Sequence, residues 1–490
     1  MHVVSVSSEM VPFAKTGGLG DVCGALPPVL TDLGIHCTAF LPAYRSVLNS
    51  GIPVEATDHT FTIPIAEKYV ACRLLKTTLP GTSVPVYLID QPHYFDRDGL
   101  YADNNGEYPD SCERFCFYNR AVAEAIHCLK IPVDILHCHD WQTGLMPAFA
   151  KTNHRDFAWT KCAKTVMTIH NLAYQGRYWH LDMPLTGLSW DYFNWKQMEF
   201  HGDLNLLKTG IVFADQVTTV SPTYAQEITT EEFGCGLERT LAERGSDLLG
   251  IVNGVDYAQW NPATDPHLPQ NYDLNSWRDG KAKCKVALQA ELGLDVCPEK
   301  PLIGIVSRLA DQKGWDLIIP LLLRWAADKG VQWAILGTGD KKYEKELADL
   351  ASYHPENLAV QLAFSERMAH RIEAACDLFM MPSRYEPCGL NQLYSLKYGS
   401  VPLVNATGGL VDTVVDSNDR SVEQETATGF ICTDYSLATL DSTLKRALEY
   451  YLHQKPVWAQ IVTSGMNMDW SWEQSARRYQ ELYERLLASP

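Results

Sequence analysis

Short apolar runs that stop at polar or glycine-rich loops, several separated by helix-patterned segments, recur along this chain in two sets. The first set comprises residues 2–8, 134–139, 164–170 and 216–221, and the second comprises residues 302–307, 331–337, 358–364, 378–383 and 401–405. Continuous apolar strands alternating with helices imply parallel sheets covered on both faces. The expected fold is therefore α/β, with two doubly wound domains. A chain of 490 residues accommodates both at roughly 100–200 residues per domain. The seam is expected near residues 253–266, where NGVDYAQWNPATDP concentrates Asn, Gly, Asp and Pro. This places a first domain at 1–252, a second at 253–465 and a terminal segment at 466–490, within which residues 470–487 carry a helical pattern. Residues 58–90 alternate more like antiparallel strands and are expected to form an insert in the first domain.

Charge narrows the function. Lys plus Arg total 41 against 59 Asp plus Glu, a formal net charge of -18, and such a surface repels a phosphate backbone at long range. No general nucleic-acid partner is expected, although a local basic pocket is compatible with that balance. No stretch approaches the ~18–20 apolar residues that span a bilayer, so no membrane partner is expected either. The opening MHVVSVSSEM lacks the features of a signal peptide and reads as a strand, making the cytoplasm the expected location. The 14 cysteines are scattered without a CxxC pair, and Cys376 and Cys432 sit inside apolar runs. Buried thiols in a reducing compartment are expected rather than a disulfide or zinc framework.

In open α/β sheets ligands bind beyond the carboxyl ends of the strands, so residues just after each strand are the candidates. After the first strand comes KTGGLGD, Lys15 to Asp21. Its glycines let a ligand approach the backbone, the amides of a starting helix attract a diphosphate, and Lys15 adds charge. A purely structural turn is the competing reading. In SRLADQKGWDLI, Arg308 and Lys313 stand just before a helix, where cations are misplaced unless an anion sits between them. The alternative is a solvated pair on a surface loop. In PSRYEPCGLNQL, Glu386 can accept hydrogen bonds from sugar hydroxyls, with Gly389 expected to open a helix whose start faces phosphate. Cys388 reads as a packed thiol more than as a nucleophile, because no nearby His pairs with it. In HCHDW and TIHNLAYQG, His137 and His139 share one face of a strand, with Asp140, His170 and Asn171 close by. A metal site is conceivable there, but hydrogen bonds to a polar ligand are the preferred reading because no further ligand cluster completes a shell. Aromatics are dense between Tyr174 and Trp195, where they either stack on sugar rings or pack a loop.

Taken together, KTGGLGDV, HDWQTGL, TIHNLAYQG, VSPTYAQEI, NGVDYAQWNP, SRLADQKGWDLI and SRYEPCGLNQLYSLKYGSVPLV stand in the order found in bacterial glycogen synthases and plant starch synthases. The chain resembles that family from about residue 2 to its last helix. The resemblance implies a GT-B fold, two Rossmann-like domains facing a deep cleft, with the 466–490 segment crossing back to the first domain. It implies retaining transfer of glucose from ADP-glucose to the non-reducing end of an α-1,4-glucan such as glycogen, without metal or cofactor. Carried over by motif, Lys15 and Gly18 would hold the nucleotide diphosphate, and Arg308 and Lys313 would neutralise it as it leaves. Glu386, Cys388, Gly389 and Leu390 would surround the donor glucose and its phosphates. Asp140 and His170 would hold the sugar from the other domain, Asn253 would lie near the same centre, and Phe364 would flank the adenine. Such a reaction needs no matched carboxylate pair, because a neutralised diphosphate leaves without the acid that a glycosidase requires.

The chain departs from the family pattern at Asn391, Asn405 and Ala406, the last two standing where arginines are frequent. Tyr394, eight residues after Glu386, replaces the second glutamate of many related transferases, as is usual for starch and glycogen synthases. The alternatives are a non-catalytic glucan-binding relative and a GT-B transferase with another donor such as UDP-glucose.

Overall fold

The computed structural model describes residues 1–103, 106–152 and 154–488. The chain divides into two compact units, one formed by Met1–Gly254 with the C-terminal helix Trp472–Ala488 and the other by Val255–Ser471.

The first unit is built on a nine-stranded sheet. Its order is Leu248–Gly250, Gln216–Thr219, Lys164–Ile169, Ile135–His139, His2–Val6, His36–Pro42, Pro85–Asp90, Lys68–Thr78 and Glu55–Ile65. The first seven run parallel, Lys68–Thr78 is antiparallel to Pro85–Asp90, and Glu55–Ile65 is antiparallel to Lys68–Thr78. Val3, Val4 and Val6 of the central strand are all buried, as a strand covered on both faces requires. Chain order reverses direction at this strand: His36–Pro42 lies on one side and Ile135–His139 on the other. That crossover opens a crevice beyond the strand ends. The C-terminal helix buries Trp472, Ala476, Tyr479, Leu482 and Tyr483, one apolar stripe at helical spacing. It packs on the helix Gly18–Asp32, and its Tyr483 hydroxyl lies 2.8 Å from Nδ1 of His137.

The second unit has a six-stranded sheet in the order Leu358–Gln361, Gln332–Leu336, Leu302–Val306, Leu378–Met381, Val401–Asn405 and Phe430–Cys432. All neighbours are parallel. Numbered by appearance in the chain this is 3-2-1-4-5-6, the dinucleotide-fold order, with its crossover between Leu302–Val306 and Leu378–Met381. Trp333, Ile335, Ile303 and Phe379 fill its core. The buried Lys281 ammonium donates to the carbonyls of Ala374 (3.0 Å) and Tyr398 (3.2 Å), where it meets the negative ends of two helices.

Several boundaries differ from those read in the sequence. The units divide at Gly254/Val255 and Ser471/Trp472, not at 252/253 and 465/466. Gly254 belongs with the first unit because it lies against Trp472, so closely that a Cβ would stand 2.4 Å from the Trp472 Cα. Val255 belongs with the second, its N–H donating to the Trp470 carbonyl at 2.7 Å. The 58–90 region forms antiparallel strands within the first unit, as its alternation predicts. Its strands Glu55–Ile65 and Lys68–Thr78 extend the main sheet through Pro85–Asp90, which pairs parallel with His36–Pro42. The strands His36–Pro42, Leu248–Gly250 and Phe430–Cys432 were absent from the sequence reading.

No helix among the described residues is long and apolar enough to cross a membrane. None of the 14 cysteines is in a disulfide, and most are buried.

Candidate active site

In the first unit the loop after His2–Val6 is organised by Glu9, a buried carboxylate that the sequence reading passed over. One oxygen accepts the Thr16 N–H at 2.5 Å and the Gly17 N–H at 3.2 Å. The other accepts the Thr16 hydroxyl at 2.6 Å and the Tyr101 hydroxyl at 2.8 Å. Pinned this way, the loop presents Gly17 and Gly18 outward: a Cβ on either would meet nothing within 4 Å. The helix Gly18–Asp32 starts there with no side-chain cap, leaving amides directed at whatever approaches. Lys15 is exposed, and its ammonium donates to Asp21 at 2.6 Å. The sequence signal for Glu9 is slight, a single acid soon after the first apolar run.

Across the crossover, Asp140 follows Ile135–His139 with φ +55 and ψ -178, a backbone region occupied almost only by glycine, where a residue with a side chain bears a strain of about 1–3 kcal/mol. Two hydrogen bonds hold it there. Its N–H donates to Thr168 O at 2.9 Å, and its carboxylate accepts the His170 N–H at 2.7 Å. Burial pushes the Asp140 carboxyl up to about 7, against the opposing effect of the His170 and Asn171 N–H groups.

Behind it lies a row of histidines. His170 Nε2 is 3.0 Å from His139 Nδ1, and the His137 and His139 rings are 4.1 Å apart. His137 also meets the Thr168 hydroxyl at 2.6 Å. Burial pushes His137 and His170 down to about 3, and His139 well below its ordinary value. All three are neutral at pH 7, suited to hydrogen bonding and not to fixing an anion. No group of three or more His, Cys, Asp or Glu that could hold a metal ion occurs among the described residues. Asn253, also in this unit, is buried with Oδ1 lacking a partner.

In the second unit the candidates flank the crossover. Lys313 follows Leu302–Val306 in a short turn, and its ammonium donates to Glu386 at 2.6 Å. Glu386, buried after Leu378–Met381, also accepts the Ser383 hydroxyl at 2.9 Å. The two charges are thus mutually balanced and largely withdrawn from water, where their pairing is stronger than on an open surface. Arg308 is exposed and does not join them; its guanidinium donates to Gln312 at 3.2 Å. Phe364 is 95% exposed in the loop after Leu358–Gln361.

The loop that carries Cys388 is braced from below by Gly408 and Gly409. At Gly408 (φ +46) a Cβ would fall 2.0 Å from the Glu386 carbonyl, and at Gly409 2.2 Å from that of Cys388. Cys388 is buried, as expected of a packed thiol. Gly389 adopts φ +72, so it does not open the helix; Leu390 is the N-cap and Asn391–Tyr398 the helix.

The departures from the family pattern have structural places here. Asn391 donates to Val306 O at 2.7 Å, tying the helix start to the strand end, and Asn405 donates to Ser383 O at 3.1 Å beside the Glu386 loop. Asn405 faces inward, whereas Ala406 is exposed. Tyr394 is buried, its ring stacked on Trp260 with centroids 3.9 Å apart.

Comparison with known proteins covers both units. Residues 2–243 match the family described as starch synthase catalytic domain, and residues 295–457 match glycosyl transferases group 1. A glycogen synthase of Rhodopirellula baltica is 49% identical, the alignment covering 100% of this chain and 98% of that protein. One of Anaeromyxobacter dehalogenans is 44% identical over 99% of this chain and 100% of its own. Among solved structures, the catalytic domain of starch synthase IV from Arabidopsis thaliana, bound to ADP and acarbose, superposes with a TM-score of 0.91 at 32% identity, covering 99% of each chain. A sucrose-phosphate synthase from Thermosynechococcus elongatus (TM-score 0.61, 16% identity, 100% of each chain) shares the fold.

Proposed function

Because the chain belongs to the family of glycogen and starch synthases, GT-B glycosyltransferases that build glucan, we propose that it transfers glucose with retention from ADP-glucose to the non-reducing end of an α-1,4-glucan. The observation that carries this reading is the Lys313–Glu386 pair at the crossover of the second unit's sheet, where a nucleotide-binding fold receives its ligand. Lys313 and the exposed Arg308 neutralise the departing diphosphate, and Glu386 accepts hydrogen bonds from the glucose hydroxyls. Cys388, Gly389 and Leu390 shape the floor under the sugar and its phosphates, and Phe364 covers the adenine. In the first unit, Lys15 and Gly18 meet the diphosphate, while Asp140, His170 and Asn253 serve the sugar. The His170 backbone carbonyl is suited to stabilise positive charge at the anomeric carbon.

Two cations do the work of an acid and of a metal in this scheme, so it requires neither metal nor cofactor. An ADP-bound relative supports the adenine donor. The cytoplasm is the proposed location, in keeping with cysteines that form no disulfide.

Incubating the protein with glycogen and either ADP-glucose or UDP-glucose, in the presence of EDTA, tests the reading. Nucleotide release and α-1,4 chain extension, faster with ADP-glucose, are expected. Preference for UDP-glucose would reassign the donor, and glucan binding without turnover would leave a non-catalytic relative.

Glu9 supplies a finer check. Replacing it by alanine leaves the Thr16 and Gly17 amides without their anchor, and charge-assisted bonds of this kind are worth ~1.5–3 kcal/mol each. The donor KM is expected to rise about tenfold with little change in kcat. Glu9→Gln, which keeps the acceptor oxygen, should recover part of that loss; an unchanged donor KM in the alanine variant would remove the loop from the donor site.

A further inference from the structure

The proposed function sets the donor's sugar and phosphates over Cys388, Gly389 and Leu390, at the start of the helix Asn391–Tyr398. Backbone amides stabilise developing charge there only when they are aimed at it in advance. The helix has eight residues, and Leu390 gives it no side-chain cap. Too short to hold itself, it takes its direction from what packs against it.

One face of the helix is held by residues 256–265, which form neither helix nor strand. The half-buried Trp260 indole lies parallel to two other rings. It stacks on Tyr394 with centroids 3.9 Å apart and planes at 3°, and on His370 of the helix Glu366–Ala375 at 3.7 Å and 11°. Two rings that close to one centroid and parallel to it have room only on its opposite faces, so Trp260 is clasped between the two helices. Further along the same segment, one oxygen of the buried Asp265 carboxylate accepts the Tyr398 hydroxyl at 2.6 Å and meets His370 Nδ1 at 2.7 Å. The other accepts the His267 N–H at 2.8 Å. Burial pushes the Asp265 carboxyl up, but these hydrogen bonds hold it below the ordinary carboxylate range, so it is ionised at pH 7. An ionised carboxylate only accepts, which places a proton on His370 Nδ1.

Tyr394 and Tyr398 stand one turn apart on the same side of the helix. The segment therefore grips it twice, by a stack at Tyr394 and by a hydrogen bond at Tyr398. Two grips along one side fix rotation about the helix axis as well as position. The first is joined directly to the helix start, since the Tyr394 N–H donates to the Leu390 carbonyl at 3.0 Å. Any apolar side chain at position 260 would fill the space; a ring clasped between two others also sets an angle.

From this geometry we infer that Trp260 and Asp265 are positioning residues of the donor site, acting through Tyr394 and Tyr398 to aim the start of the helix at the donor's phosphates. This rests on the glucosyl-transfer reading given above. Misplacing a group of this kind by about 1 Å costs on the order of a hundredfold in rate, so a partial loosening is measurable.

The test compares Trp260→Phe, which keeps a stacking ring, with Trp260→Leu, which keeps apolar bulk without one. Tyr398→Phe removes only the hydroxyl of the second grip, and it carries the test if Trp260→Leu does not fold. Thermal midpoints are measured first, and the assays are run well below the lowest of them. Trp260→Leu should lower kcat with ADP-glucose about tenfold and weaken ADP binding, read by calorimetry, by a similar factor, with the KM for glycogen unchanged. Trp260→Phe should recover most of both losses, and Tyr398→Phe should show the same pattern at roughly threefold. Wild-type kcat and ADP affinity in Trp260→Leu and Tyr398→Phe would overturn the proposal. So would equal losses in the two Trp260 variants, or a glycogen KM that rises with them, since either marks a general loosening of the fold. If the wild type turns over no sugar nucleotide, the transfer reading falls, whereas ADP affinity across the same variants still decides whether the grip aims the helix.

Discussion

Replacing Lys313 by alanine is expected to lower kcat about a hundredfold or more, since removing one group that stabilises developing charge in a dry site costs roughly 3 kcal/mol of the barrier. Two effects contribute. In the proposed reaction the departing diphosphate loses a cation, and Glu386 loses the partner that now donates to it at 2.6 Å. Glu386 is buried, and a buried carboxylate deprived of its counter-ion also destabilises the fold around it. The variant Lys313→Ala/Glu386→Gln separates the two: it removes the stranded charge and should restore thermal stability without restoring turnover. A single variant with wild-type kcat would remove Lys313 from the chemistry. Recovery of both stability and kcat in the double variant would make the lysine a structural partner only.

Acid should weaken the first unit well above the ordinary carboxylate range. His137 and His170, pushed down to about 3, and His139, also lowered, stay neutral when folded but bind protons near pH 6.5 once unfolded. The unfolded state therefore takes up more protons below that pH, and the stability these groups contribute, complete above it, is lost as pH falls toward 3. His137 and His170 each contribute a slope of about 1.4 kcal/mol per pH unit. Asp140 has the opposite sign. Its raised folded value, about 7, gives stability that is present below the ordinary carboxylate range and lost as pH rises through 7. Between pH 4 and 6.5 it cancels roughly one of these two histidines, leaving a net slope of about 1.4 kcal/mol per pH unit to which His139 adds in the same direction. Urea midpoints measured across that window should fall with acid, and Asp140→Asn should make the fall steeper while raising stability at pH 8. A flat profile in the wild type, or a shallower one in the variant, would show that the cluster is hydrated or differently protonated.

The motifs were legible because their information is local. Lys15, Gly18, Asp140, His170, Arg308, Lys313 and Glu386 each follow a strand whose apolar run is visible in a few residues, and the α/β architecture follows from the same runs. Boundaries were less legible. His36–Pro42 carries polar residues at its start and Phe430–Cys432 is only three residues long, so neither stands out until a neighbour pairs with it. The antiparallel alternation of the 58–90 region was legible, but it looks the same whether the strands stand alone or extend a larger sheet; the parallel pairing of Pro85–Asp90 with His36–Pro42 distinguishes the two.

What the amino-acid sequence determined by itself was the class of fold, the order of its loops and the chemistry each loop could bring, since hydrophobic periodicity and residue type are properties of short stretches. Tertiary structure decided which of those groups act together. Lys313 finds Glu386 across 73 residues, Glu9 reaches forward to fix the glycine loop, and Tyr483 returns across 346 residues to His137. Whether the aromatics between Tyr174 and Trp195 packed a loop or faced solvent was decided there too, with Trp179, Trp190 and Trp195 left exposed. Pairing, protonation and exposure all depend on what surrounds a side chain in space, and burial by distant segments supplies most of those surroundings.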